Sequence, residues 1–261
     1  MSQTIEIAIA ALYGAIVGSF LTVVIGRVPA HESIVRPRSR CGACGTQLTT
    51  LDLIPIISWC ARRGRCAHCG AKVSVRYVMV ELITAAVFGS IVWRYGLDGR
   101  SVVLCTIAAG LVALSAIDLE TFKLPNAIVY PLSGMGAAGI VVVSAIESEY
   151  RSGMLRALLG AVIVFCAFFV LHLISPKSMG FGDVRLSALL GGSTAWIAWG
   201  VTAVSLFAAF AFGALIGTAM LLIGRAGRKT ALPFGPMLAA GWLFGLLYGP
   251  QIADAYLSAN H

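Results

Sequence analysis

Two aspartates stand where a hydrophobic chain has little reason to carry them. Asp118 lies in "LVALSAIDLETFKLPNAIVYP" and Asp183 in "SMGFGDVRLSALLGG". An ionisable group inside an apolar segment is expensive and marks a functional site by default. Two acids at one depth on separate helices can share a water, one carboxylate acting as base and the other, protonated, as acid. That pairing suits hydrolysis of a peptide bond. Gly180 and Gly182 frame Phe181 just before Asp183. Glycine there permits a close backbone approach, or an unusual φ, that a peptide lying against the site would use. The plainer readings are that Asp183 caps a helix and that Asp118 is a solvated loop residue.

A second constellation is built from thiols, in "CGACGTQLTTLDLIPIISWCARRGRCAHCG". Cys41 and Cys44 form one CxxC and Cys66 and Cys69 another, with 21 residues between the pairs. Each CxxC turn offers two thiolates to one tetrahedral zinc ion. Gly42, Gly45 and Gly70 fit the tight turns such knuckles need. Two disulfides are the alternative and require an oxidising compartment. With four thiolates the site is closed, so the metal is structural. Cys60 stands outside both knuckles, and His68 lies between two ligands and points away from the metal.

The elements that must hold these groups are read from hydropathy. Of 261 residues, 59% are hydrophobic and 11% charged, against about a quarter charged in soluble domains. Mean hydropathy is +0.90. The expected fold is therefore an all-α polytopic membrane protein. Apolar runs place about eight transmembrane helices near 7–26, 77–95, 101–118, 127–146, 155–174, 184–199, 201–223 and 231–248. The sixth is short; Gly191–Gly192 and Trp196/Trp199 suggest that it ends at an aromatic belt. No Lys or Arg precedes the first apolar run, so that run reads as a retained span rather than a signal peptide.

Charge orients the chain. The loops 27–76, 119–126, 175–183 and 224–230, with the flanking Arg185, hold 15 of the 19 Lys and Arg residues. Basic loops face the cytosol, so these are cytosolic and both termini lie outside. The formal charge of +8 is explained by this rule, and no nucleic-acid partner is expected. A cytosolic loop is reducing, which favours zinc over disulfides. Three regions follow: the first span (1–26), a cytosolic zinc-ribbon-like loop (27–76) and a membrane-embedded core bearing the acids (77–261). Asp118 falls near the C-terminal end of its span and Asp183 at the N-terminal end of its own. By the helix dipole this assigns Asp118 as the acid and Asp183 as the base.

The chain resembles the type IV prepilin peptidases, bifunctional prepilin leader peptidase/N-methyltransferases of the GxGD aspartic protease type. The likeness is carried by "GSFLTVVIGRVP", "CGAC", "DLIPIISW", "GRCAHCGAKVSVRYVMVELITA", "DLETFKLPN", "MGFGDVRL" and "LPFGPMLAAG", and so runs almost end to end. Thr22, Gly26, Gly42, Val78 and Arg185 depart from the pattern without touching the two acids or four thiols. The resemblance implies a bacterial inner-membrane enzyme that cuts the short basic leader from type IV prepilins or pseudopilins. The cut falls at the cytosolic membrane face. It also implies N-methylation of the new terminus with S-adenosylmethionine, for which the sequence shows no binding fingerprint. Membrane lipid and pilin precursors are the implied partners. The competing reading is a non-enzymatic membrane assembly or transport protein with a zinc-ribbon docking loop, its two acids binding an ion or proton.

Overall fold

Apolar runs of 17 to 25 residues, broken by Gly, Pro and Asp, fold into long helices. The computed structural model describes residues 2–176, 179–223 and 232–259. Among these, helices of 17 residues or more are α1 (Gln3–Arg27), α3 (Val75–Tyr95), α4 (Gly99–Thr121), α5 (Asn126–Ile146), α6 (Arg151–Ile174), α7 (Phe181–Ile197), α8 (Trp199–Leu222) and α9 (Gly235–Ala259). The short α2 (Ile57–Ala61) lies in the cysteine loop. No strand is present among the described residues, only two isolated bridges. Among the described residues, six helices are long and apolar enough to cross a bilayer: α1, α3, α4, α5, α6 with the turn before it, and α8. The polytopic fold is thus as expected, and each expected span has a helix. Among the described residues six helices meet the length and apolarity needed to cross, so the expected count of eight is not confirmed.

The chain forms two compact units, Met1–Leu97 and Asp98–His261. In the first, α1 packs along α3 with the cysteine loop between them in sequence. Gly14 and Gly18 allow the approach: a methyl on Gly18 would lie 2.7 Å from the Glu81 Cα. Packing therefore groups residues 77–97 with the loop, a division different from one drawn by chemistry.

In the second unit, α6 pairs with α7 and α8 with α9, and α4 and α5 complete the bundle. Glycine stripes close both pairs. Gly160 and Gly191 face each other across α6 and α7, and a methyl on Gly191 would meet Gly160 O at 2.5 Å. Gly241, Gly245 and Gly249 run down one side of α9, against Ala209, Ser205 and Val201 of α8. With no hydrophobic drive between helices in lipid, such close packing and interhelical hydrogen bonds hold them together. The bonds are present: Trp242 Nε1 donates to Ser193 Oγ at 2.9 Å, and Trp196 Nε1 to Ser144 Oγ at 3.0 Å.

These contacts correct one expectation. Trp196 is 3% exposed and bonded inside the bundle, so it is no part of an aromatic belt. Gly191–Gly192 sit within α7 as packing residues. The short helix does end where expected, at Ala198, whose extended backbone (φ −165°, ψ 154°) separates α7 from α8. Protein surrounds α7 on most sides, with Ser187, Ser193 and Thr194 all buried. That is why its sequence is less apolar than a lipid-facing helix requires.

Candidate active site and metal centre

Asp118 lies three residues before the end of α4, which Phe122 closes in the left-handed region (φ 53°) while its N–H donates to Asp118 O at 2.9 Å. Pro125 then opens α5. Asp183 is the third residue of α7, after the extended Gly180. Both acids are buried, 5% and 7% exposed. The Asp118 carboxylate bears electrostatically on Asp183, and Leu124 packs beside both. The structure thus brings together the two acids singled out in the sequence. Asp118 is no solvated loop residue. Nor is Asp183 an N-cap: that position belongs to Gly180, and Asp183 reaches back to the Gly180 main chain from within the first turn.

Two residues that sequence reasoning did not assign, Gly235 and Leu124, hold the pair. Gly235, the first residue of α9, donates its N–H to Asp118 Oδ2 at 2.9 Å. Leu124, in the α4–α5 turn, is wedged between the starts of α7 and α9. A methyl on Gly182 would lie 2.9 Å from Leu124 Cβ, and one on Gly235 would lie 3.2 Å from Leu124 Cδ2 and 2.8 Å from Asp118 Oδ2. Gly182 is therefore a packing requirement that draws α7 against the end of α4. At Gly180 a methyl would stand 3.4 Å from Asp183 Oδ2, so a glycine leaves that carboxylate uncovered. Neither glycine adopts a positive φ.

The helix dipole does not separate the roles of the two acids. Asp118 does close α4, but its oxygen also takes the first amide of α9. Both acids thus stand at helix N-termini, where exposed N–H groups favour a carboxylate. The dipole no longer tells acid from base.

Residues around α7 brace the site. His172 Nδ1 is 2.9 Å from Met179 O, and its ring lies against Phe181. His172 is thus a hydrogen-bonded packing residue. Arg185 bonds Asn126 Oδ1 and lies over the Phe181 ring at 4.6 Å.

In the first unit the four cysteines converge. The sulfurs of Cys41, Cys44, Cys66 and Cys69 all lie within 4.8 Å of one another, with Cys41 and Cys69 at 3.9 Å. Zinc at the usual bond length requires sulfur separations of about 3.8 Å, so the donor set fits. None is in a disulfide. The knuckles repeat one pattern: Gly45 N–H to Cys41 O and Cys41 N–H to Thr46 O, then Gly70 N–H to Cys66 O and Cys66 N–H to Ala71 O. Gly45 and Gly70 take φ of 71° and 70°, as the turns demand. Gly42 does not, which corrects the expectation for it. The Thr46 hydroxyl, and then its main chain, bring the Cys44 thiol down to about 6. The Cys69 and His68 main chains lower Cys66 as well. Both shifts favour the thiolate a metal needs, whereas at Cys69 the Ala71 main chain is outweighed by desolvation and the neighbouring thiols, which push it up to about 11. Cys60 and His68 stay outside the cluster.

Fold and site together define a class: a multi-pass helical membrane protein with a buried acid pair in one unit and a four-thiol metal loop in the other. A profile for the bacterial peptidase A24 N-terminal domain matches residues 12–95, and one for the type IV leader peptidase family matches residues 105–218. Relatives named prepilin leader peptidase/N-methyltransferase match over almost the full length. The protein of Stutzerimonas stutzeri is 34% identical, covering 95% of this chain and 92% of its own. That of Pseudomonas putida is also 34% identical (97% and 94%), and that of Bacillus subtilis (strain 168) 33% (94% and 96%). No solved structure matches significantly. The chain belongs to the type IV leader peptidase family.

Proposed function

We propose that this protein is an inner-membrane aspartyl endopeptidase that removes the leader from type IV prepilins or pseudopilins and N-methylates the new terminus. The observation that carries the peptidase reading is the convergence of Asp118 and Asp183, buried on separate helices, beside the wedge of Leu124. In the reaction one carboxylate takes a proton from water as the water oxygen attacks the scissile carbonyl carbon. The other, protonated, hydrogen-bonds that carbonyl oxygen. Collapse of the tetrahedral intermediate breaks the C–N bond, and a proton passes to the leaving amine. The pair titrates as a unit. Gly180 leaves room beside Asp183 for the substrate backbone.

Zinc is held by Cys41, Cys44, Cys66 and Cys69 and acts structurally, since no ligand position is open. Methyl transfer requires S-adenosylmethionine, whose sulfonium methyl is electrophilic enough for a neutral amine. The basic loops set the orientation, with the cysteine loop cytosolic and both termini outside. Of the loops used for that argument, 224–230 lies outside the described residues, as do residues 177 and 178 of 175–183. The division into a first span (1–26), zinc loop (27–76) and peptidase core (77–261) follows the chemistry, and membrane lipid bathes the exposed apolar faces of α6 and α8.

The test is cleavage of a prepilin by purified protein. Asp118→Asn and Asp183→Asn should each lower the rate by about 10³-fold or more, since a dyad with one acid removed loses its acid–base catalysis. Undiminished cleavage in both would end the peptidase reading and leave the assembly or transport alternative standing.

A further inference from the structure

A cavity of about 600 Å³ opens inside the first unit. It lies between the cytosolic ends of α1 and α3 and the cysteine loop, and the peptidase reaction makes no use of it. Its volume falls in the range of small-molecule sites.

Two carboxylates line it, and they differ. Asp52 is fully engaged: it pairs with Arg62 and accepts from the N–H and hydroxyl of Thr49 at 2.8 and 2.7 Å. Glu81 is 8% exposed. One of its oxygens accepts the Ile56 N–H at 2.7 Å, and its other oxygen has no hydrogen-bond partner among the described residues. That oxygen opens onto the cavity, where a cationic or hydrogen-bond-donating ligand can reach it.

The backbone that feeds Glu81 is itself unusual. Ile56 has φ 63°, a value a β-branched residue rarely takes. The Ile57 N–H closes back on Pro55 O at 2.5 Å, a three-residue turn. Strain held in this way concentrates at ligand sites.

Aromatic and basic groups complete the lining. Trp59 is fixed by its Nε1 bond to Val73 O at 3.2 Å and by Gly64 behind the ring, where a methyl would lie 2.8 Å from Cζ2. Tyr77 shares the wall, and the exposed Arg65 and Lys72 stand at the mouth.

We propose that this cavity is the S-adenosylmethionine site, with Glu81 taking a cationic centre of the ligand. The inference rests on the methyltransferase reading above. S-Adenosylmethionine carries a sulfonium and an ammonium, which suit a buried carboxylate and aromatic rings. Its carboxylate suits Arg65 or Lys72, and its adenine is an aromatic surface for Trp59.

The experiment is calorimetric titration of the full-length zinc-loaded protein in detergent with S-adenosylmethionine alone. Glu81→Gln keeps an acceptor for the Ile56 N–H and removes only the charge. It should weaken binding by about tenfold or more, with zinc content and helicity unchanged. Arg65→Gln, at the exposed mouth, should weaken it several-fold and does not threaten the fold. Wild-type affinity in both variants overturns the assignment while leaving the methyltransferase reading intact, provided the wild type methylates a cleaved pilin. No binding and no methyl transfer by the wild type overturns both. Binding of a basic leader peptide at Glu81, with S-adenosylmethionine unable to compete, also overturns the assignment.

Discussion

At the scale of single residues, the acids were legible and their supports were not. Asp118 and Asp183 stand out because a charge in an apolar run has no plain packing role. Gly235 and Leu124 are apolar residues in apolar surroundings, and nothing in their type marks them; only tertiary contact shows that an α9 amide reaches Asp118. The glycine motif was visible, yet its reason was not: Gly182 answers to Leu124 and not to φ. Gly235→Ala tests the supporting amide. The new methyl would stand 2.8 Å from Asp118 Oδ2, closer than a carbon tolerates, so carboxylate or helix must shift. A misplacement of this kind near a reacting centre costs about 10²-fold. Cleavage should fall by about that factor at saturating prepilin, with thermal stability nearly unchanged. A normal turnover rate would show that Asp118 does not depend on the α9 amide for its position.

At the scale of elements, the helices followed from apolar runs and breakers, but their pairing did not. Hydropathy says that a segment prefers lipid; it does not say which face meets which neighbour. The stripes Gly14–Gly18 and Gly241–Gly245–Gly249 repeat every four residues, the small-residue spacing that lets membrane helices approach closely. Reading them as interface markers would have found the α1–α3 and α8–α9 pairs. Trp196 misled for a related reason: an indole suits a membrane interface and a buried hydrogen bond equally well. The stripe is testable at Gly241, where a methyl would lie 2.5 Å from Ala209 N. Gly241→Leu must push α9 off α8, and overpacking of this kind costs about 1–3 kcal/mol. Unfolding in mild detergent should shift accordingly. Gly134→Leu on α5, where a side chain would meet nothing within 4 Å, serves as the control. Equal stability of the two variants would remove the stripe from the account of packing.

At the scale of the whole molecule, orientation came from counting basic residues, and the two-unit organisation emerged only from packing. Orientation can be checked by labelling. Glu149→Cys, between α5 and α6, should react with an impermeant thiol reagent in intact cells, whereas Ser33→Cys in the long loop should react only after permeabilisation, in a Cys60→Ser background. The reverse pattern would invert the protein. The separation of units makes a sharper demand. All four thiols lie in Met1–Leu97 and both acids in Asp98–His261. Zinc bound at the four thiols would close residues 41–69 into one fold, so its removal should collapse the loop and the functions built on it. The acids stand on helices packed by glycine stripes and indole hydrogen bonds that need no metal. Methyl transfer should therefore be lost before cleavage when zinc is stripped. Because the ligands must be thiolates, protons compete with the metal, and chelation should proceed more readily at pH 6 than at pH 8. The measurement is mass spectrometry of a processed pilin during chelator titration, reading leader removal and the methyl group in the same sample. A Cys41→Ser/Cys44→Ser protein should give the chelated result without chelator: cleaved, unmethylated pilin. Simultaneous loss of both products at each chelator concentration would mean that the peptidase also depends on the zinc loop, and that the two units do not act independently.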